Sequence, residues 1–354
     1  ADPEGLFESP VGFSQGALDL KVDLDPFRLT IGQFVLADAG RHISLDGEVV
    51  ADERGWSGAT DVAIDAITSD RLLALWPVLA VPKTRSWLAE NVATGELFDV
   101  KAALRATAGQ EPRLSLGYEY RAAEVRFLRT LPPVQDGEGF ATINDYGYTL
   151  VVDRGHVTPP QGGQIDVAGT IVEVPDIRIK PAPARITLRT ESTITAALAL
   201  LDEPPFRFLS KAGRSVDQAE GRARLTTVLE MILEKKISPE DVSYDVNGTL
   251  SDVSSDVIVP GRPLRAARLD VHASRAGLKI SGAGTLSAIP FDAEWSQAFG
   301  PENKGKSHVE GRIELSPAFI KAFGIGLPAG IVTGKGSGRI ALDLVAGAKT
   351  AFRM

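Results

Sequence analysis

The sequence predicts a mainly β protein, an antiparallel meander with a few short helices, and three observations carry that reading. Apolar and polar residues alternate with a period of two through most of the 354 residues, the pattern of strands with one dry and one wet face. Prolines, glycines and short polar runs interrupt those stretches at turn-like intervals. Three helical interruptions, near Leu72 to Val92, Thr193 to Leu201 and Pro317 to Phe323, never fall into the strand, helix, strand order that a parallel sheet requires. An antiparallel meander with one apolar face must close into a barrel, stack on a second sheet, or curl into a groove that something else fills.

Taken in order, Gly16 to Asp25 places Leu18, Leu20, Val22 and Leu24 on one face and Asp19, Lys21, Asp23 and Asp25 on the other. Pro26 ends this strand. Phe27, Leu29 and Ile31 repeat the alternation, Asp38-Ala39-Gly40 supplies a turn, and Ile43 to Val49 and Trp56 to Ile64 continue the meander around Leu45. From Asp70 to Gly95 the pattern changes: a short apolar helix ends at Trp76-Pro77, and a second opens after Pro82 and closes near Gly95. Strands resume at Leu97 to Ala106 and at Arg113 to Tyr120, which carries Leu114 and Leu116; Val125 and Phe127 follow before Leu131-Pro132-Pro133 breaks the pattern.

Gly137 to Ile143, Tyr148 to Asp153, Arg154 to Thr158 and Gln164 to Thr170 read as four short strands, with Gly155 and Gly162-Gly163 at turns. Ile177 to Lys180 and Ala184 to Glu191, with Ile186 and Leu188, lead into Thr193 to Leu201, whose Ile194, Leu198 and Leu201 sit at helical spacing. Ala219 to Leu233 fits both periods; Gly221 to Thr227 alternates, and we read strand through Val228. Asn247-Gly248 makes a tight hairpin between two strands, or one strand runs through the glycine. Leu264 to Ala273, Leu278 to Leu286, Phe291 to Trp295 and Ser307 to Leu315 are strands, Pro317 to Gly324 is a short helix, and Gly336 to Val345 is a final strand.

Composition narrows the function. Hydrophobic content of 44% with 24% charged residues is enough for a sizeable core. A formal charge of -8 with acids and bases interleaved gives no positive stripe, so a nucleic-acid partner is not expected. The absence of cysteine removes disulfides and thiolate chemistry without fixing a compartment. No run of about 18 apolar residues spans a membrane.

Sequence motifs for catalysis lack their contexts. Gly12-Phe13-Ser14-Gln15-Gly16 has nucleophile-elbow spacing, but a strand follows where that motif needs a helix, so a two-glycine turn is expected. His42, His156, His272 and His308 lack metal-ligand spacing. Gly330 to Lys335 resembles a phosphate loop with its first glycine misplaced and Gly336 where a Ser or Thr is needed. The carboxylates alternate with apolar residues, as on a wet sheet face, and no paired acid and base is visible. Trp76, Trp87 and Trp295 read as packing anchors; Arg85 is either a phosphate-binding cation at a helix start or a surface cation covering Trp87. No enzyme activity, cofactor or metal is expected.

One stretch carries a resemblance. Trp76-Pro77, then Arg85, Trp87-Leu88, Asn91 and Gly95, followed by the Phe98-Asp99-Val100 strand, resemble the insert of the YhdP-like branch of AsmA-like proteins. Texture extends the likeness: repeated glycine openings to strands, Leu-Leu-Asp-x-Pro-Pro-Phe at Leu200 to Phe206, and Pro-Phe-x-x-x-Trp at Pro290 to Trp295. Members of that family are long periplasmic β-rich proteins tethered to the inner membrane and implicated in moving phospholipid towards the outer membrane.

The resemblance implies that the sheet is long and twisted and curls into an open hydrophobic groove. Phospholipid acyl chains would lie against Leu18, Leu20, Val22, Leu24, Leu29, Ile31, Leu45, Leu114, Leu116, Val125, Phe127, Ile186 and Leu188. It also implies one continuous β-segment over 1–354 of a longer periplasmic protein, with soft seams near 131–136 and 210–218, a helical insert over 70–95, and membrane contacts made by regions outside the segment. A scaffold for outer-membrane β-barrel proteins, offering its sheet edges, is the alternative from a different class, and a closed-core β-sandwich binding module is the third.

Overall fold

The computed structural model describes residues 6–38, 40–234, 237–326, 330–331, 333–345 and 351–353. The chain is mainly β and antiparallel, with few short helices, as the alternation predicts. It begins with β1 (Gln15–Leu24), β2 (Phe27–Asp38), β3 (Arg41–Asp52) and β4 (Gly55–Thr68), then turns through α1 (Ser69–Leu75) and α2 (Pro82–Asn91). There follow β5 (Val92–Ala106), β6 (Arg113–Val125), β7 (Val134–Asn144), β8 (Gly147–Val157), β9 (Ile165–Asp166), β10 (Thr170–Val174), β11 (Ala182–Thr193) and α3 (Ile194–Leu201). The rest is β12 (Glu220–Leu233), β13 (Ser243–Ser255), β14 (Leu264–Ser274), β15 (Gly277–Leu286), β16 (Ile289–Ala298), β17 (Lys306–Leu315), α4 (Pro317–Phe323), β18 (Gly336–Val345) and β19 (Ala351–Arg353).

The chain divides into two compact units: Ala1–Val157 with Val167–Ile186 and Ile232–Lys236, and Thr158–Asp166 with Thr187–Met231 and Ile237–Met354. Both expected seams fall inside a unit. Leu131-Pro132-Pro133 only connects two paired strands, because Val125 of β6 stands opposite Val134 of β7, and 210–218 is a loop with one short turn, Ser210–Ala212. Within the first unit each strand from β1 to β8 pairs with the next, and β8 pairs with β10. Within the second, each strand from β12 to β19 pairs with the next, and β9 meets β11 at Asp166 and Glu191.

Several local expectations change. The second helix closes at Asn91, and β5 already runs through Gly95. Gly155 is no turn: β8 passes straight through it, and a Cβ there would meet Val134 and Val167 side chains at 3.3 and 3.5 Å. Of the two readings of Asn247-Gly248, the strand running through the glycine holds in β13, and that glycine makes room for Leu225 of the neighbouring strand. Gln164 to Thr170 contracts to the two residues of β9 and a turn into β10; Ile177 to Lys180 forms no strand; β12 extends past Val228 to Leu233.

The helices start where the chemistry allows it. Pro82 opens α2, where its missing N–H costs nothing. Thr193 and Ser316 cap α3 and α4 by accepting from the amides of Ala196 and Phe319. In the second unit α3 packs on the apolar face of its strands through Ile194, Ala223, Val253, Ala266 and Leu269. α4 packs on the same face through Phe319 against Ile289 and Ile313. Both helices sit at the edge where Ser255 opposes Leu264 and Leu286 opposes Ile289, and Leu225, Leu250 and Ile280 pack against the α3 cluster.

Candidate functional site

The candidate site is the apolar face of the first unit, and register makes it continuous. Leu18 of β1 stands directly opposite Phe34, Phe34 opposite Leu45, and Leu45 opposite Val62. The same row goes on through Ala102, Leu116, Ile143 and Tyr148 to Val174 of β10. A second row runs from Leu20 through Ile31, Gly47, Thr60 and Leu104 to Leu114, and a third from Val22 through Leu29, Val49 and Gly58 to Ala106. Leu24 opposes Phe27.

A bulge aligns these rows. Ile31 and Phe34 are an odd number of residues apart, so strict alternation would put them on opposite faces. The register shifts between them, leaving Gly32 and Gln33 facing a single residue of β3, and this returns Phe34 to the apolar side.

The face is not covered like a core. Leu18 is 59% exposed and Leu24 82%, with Leu20 and Val22 also exposed. Leu29, Ile31, Leu45, Leu114, Leu116 and Val125 are half-buried. Among the described residues no large side chain is fully buried, whereas a closed sandwich core places many such residues beyond the reach of water.

Eleven of the thirteen expected lining residues lie on strands of the first unit or at the end of one, but they do not all join the rows. Val125 sits at the end of β6, opposite Val92 and Val134. Phe127 lies beyond β6 and turns to α2, with its ring 6.1 Å from that of Trp87, so it belongs to the helical insert and not to the rows. Ile186 and Leu188 share one face of β11, two residues apart and half-buried; the first falls in the first unit and the second in the other. The expected set omits Phe34, Val62, Ile143 and Val174, and the whole second face, where Leu225, Gly248, Val271, Ile280, Trp295, Val309 and Leu342 stand opposite one another in turn. Alternation marks most of these; only register shows that they form rows.

The opposite face is wet and ion-paired. Arg105 forks onto both carboxylate oxygens of Asp61 at 2.8 Å, Arg28 pairs with Glu48, and Lys279 with Glu294 at 3.0 Å. Glu96 binds Arg121 and Arg41, each at 2.6 Å; hydrogen bonding from Arg121 leads the effects that hold its carboxyl below the usual range. Shallow depressions at Ser44, Asp46, Asp61 and Lys101, and at Ser281, Asp292, Glu294, Arg312 and Arg339, belong to this polar side.

Three tyrosines interrupt the apolar face over β7. The Tyr118 and Tyr148 hydroxyls are 3.2 Å apart, and Tyr120 donates to the Val151 carbonyl at 2.9 Å. That carbonyl is met beside Gly139, where the β7–β8 register shifts. Desolvation is the first cause that raises all three phenol pKa values.

The helical insert holds Arg85 differently from either expectation. Its side chain is only 15% exposed and pairs with Glu8 at 2.6 Å, while a second bond reaches the Leu73 carbonyl of α1 at 3.4 Å. Its Nε is buried without a partner. Arg85 therefore ties α2 to α1 and to the segment before β1; Trp87, at 42%, is the more exposed of the two. Trp76 donates its indole N–H to the Ala80 carbonyl at 2.6 Å.

The remaining motifs resolve into local structure. Ser14 donates to the Ala37 carbonyl at 2.8 Å as β1 begins. His42 contacts Asp65 at 2.9 Å, His308 contacts Asp343 at 2.8 Å, and His272 contacts Asn247 at 3.0 Å; His156 is 3.8 Å from Asp136. Lys335 pairs with Glu314 at 3.2 Å, while Val332 of the same glycine-rich stretch lies outside the described residues. Among the described residues no three His, Cys, Asp or Glu side chains gather to hold a metal ion, and no helix is long and apolar enough to cross a membrane. No protein-family profile, curated protein or solved structure matches this chain.

Proposed function

We propose that the chain is a periplasmic segment of a YhdP-like protein whose apolar sheet face curls around phospholipid acyl chains and shields them on their way between membranes. The observation that carries this reading is the set of cross-strand apolar rows, nine strands wide in the case of Leu18 to Val174, that stay half-buried or exposed as far as Tyr148, with Val174 buried at the end. Such rows give a flexible hydrocarbon non-directional contact. Each enclosed methylene is worth about 0.8 kcal/mol measured from water, and a lipid leaving a bilayer need only exchange one apolar surrounding for another.

The polar face supports the same reading from the other side, because its ion pairs keep that surface in water. The stretch that resembles the family's insert forms α1, α2 and the start of β5, with the helices packed on β4 and β5. The test is native mass spectrometry of the purified segment, scored for phospholipid adducts. Adducts that survive gentle desolvation and disappear when an aspartate is placed in a row are expected; a segment that never carries or takes up phospholipid would remove the reading.

A further inference from the structure

We propose that the hydroxyls of Tyr118 and Tyr148 form a binding point for one ester carbonyl of a lipid lying on the apolar rows, so that the face recognises acyl esters and not hydrocarbon alone. The inference rests on the proposed lipid-shielding role. Its starting point is donor arithmetic. Two phenol hydroxyls facing each other at 3.2 Å carry two O–H donors, and only one of these can be used within the pair. Among the described residues neither hydroxyl has another partner. One donor is therefore left over, on the apolar side of the sheet, where an unmade hydrogen bond is costly.

The geometry suits a shared acceptor. Tyr118 lies opposite Ala141 and Tyr148 opposite Ile143, so the two rings reach towards each other across β7 from its two sides. Ala141 beneath them is 0% exposed, and its methyl gives the rings a floor. The separation is longer than the usual hydroxyl–hydroxyl bond of about 2.7–2.8 Å. A carbonyl oxygen has two lone pairs and can accept from both hydroxyls at once. Both tyrosines are half-buried, so part of each ring lies open on the face, and a carbonyl must enter between the rings to reach the hydroxyls. Burial keeps both phenols protonated, and hence donors, well above neutral pH.

The neighbours fix which part of a lipid fits. Leu116 and Ile143 continue the row on one side, and the buried Val174 closes it on the other, so an acyl chain extending from the carbonyl runs along Leu116 and Ile143. Tyr120 does not share the role, because its hydroxyl is committed to the Val151 carbonyl.

The test compares dioleoyl phosphatidylcholine with its dialkyl analogue, which has ether links and no carbonyl, in binding to the wild-type segment and to Tyr118→Phe/Tyr148→Phe. The diester is expected to bind the wild type roughly three- to tenfold more tightly, the effect of one net hydrogen bond, and the double variant should treat the two lipids alike. Equal binding of both lipids by the wild type overturns the inference and leaves acyl shielding intact, as does a preference that survives in the double variant. Binding of neither lipid overturns the inference together with the lipid role. The wild-type comparison needs no variant, and single Tyr118→Phe and Tyr148→Phe proteins cover the case in which the double substitution fails to fold.

Discussion

Leu45→Asp separates an open apolar face from a closed core. Leu45 is half-buried between Phe34 and Val62. Burying a leucine completely is worth about 1.5–3 kcal/mol, so its half-burial contributes about 1 kcal/mol. Water reaches the new carboxylate, and the total loss of stability should stay near ~1–2 kcal/mol. Ile67, only 3% exposed in the same unit, is the comparison: Ile67→Asp removes a buried side chain and strands a charge, at a cost of at least ~4 kcal/mol. Urea unfolding followed by circular dichroism measures both. Phospholipid adducts in native mass spectra should fall at least about tenfold in Leu45→Asp, since an ion in the path of the chains needs a loss of only ~1.4 kcal/mol to do so. Leu20→Asp, nearer the exposed end of the sheet, should lose adducts with even less effect on stability. If Leu45→Asp unfolds as readily as Ile67→Asp, the face is a covered core and the reasoning fails; unchanged adducts in a folded Leu45→Asp protein would refute it equally.

Arg85→Ala should cost about 1–2 kcal/mol and exceed Trp87→Ala, because the arginine is the more buried of the two and holds Glu8 and Leu73; thermal unfolding of the two proteins gives the ranking. Gly248→Ala should destabilise by about 1–3 kcal/mol, since a Cβ there meets the Arg224 carbonyl and lies 2.7 Å from Leu225 Cδ2; a chemical-denaturation midpoint shift checks it. Hydrogen bonds from Arg178 hold the Asp176 carboxyl down at about 2. Because the folded value is depressed, its stabilising contribution is complete above the ordinary carboxylate value and is lost as pH falls through about 2. Carbon-detected NMR titration should find that midpoint, and Arg178→Ala should raise it towards the ordinary range, with the residue-178 backbone N–H still holding it partly down.

Period-two alternation located nearly every strand, because a sheet with one wet face imposes it residue by residue. Glycine defeated the same reading at Gly155 and left it undecided at Gly248. A glycine that supplies a turn and a glycine that makes room for a neighbour look identical in sequence, and here the demand came from Val134, Val167 and Leu225. The connection before β7 shows a related effect: Pro132-Pro133 breaks the alternation between β6 and β7, and nothing local says that β7 will pair back onto β6. Most of the apolar face could be read from alternation, but its continuity could not. Phe34 reaches the right side only through the Gly32–Gln33 bulge, and Phe127 leaves it for Trp87. Arg85 finds its partner at Glu8, 77 residues away, which no local pattern records.

The cross-strand rows also bear on friction. Along a row, one side chain follows another at the strand spacing of about 4.8 Å, whereas the repeat of a hydrocarbon chain is far shorter. The two periods do not match, so advancing a chain by one methylene breaks about as much contact as it makes. A chain lying across Leu18, Phe34, Leu45 and Val62 has no deep register to climb out of. On the proposed lipid-shielding role the surface would be a low-drag track at right angles to its strands, and any stopping place would come from a polar group set into it.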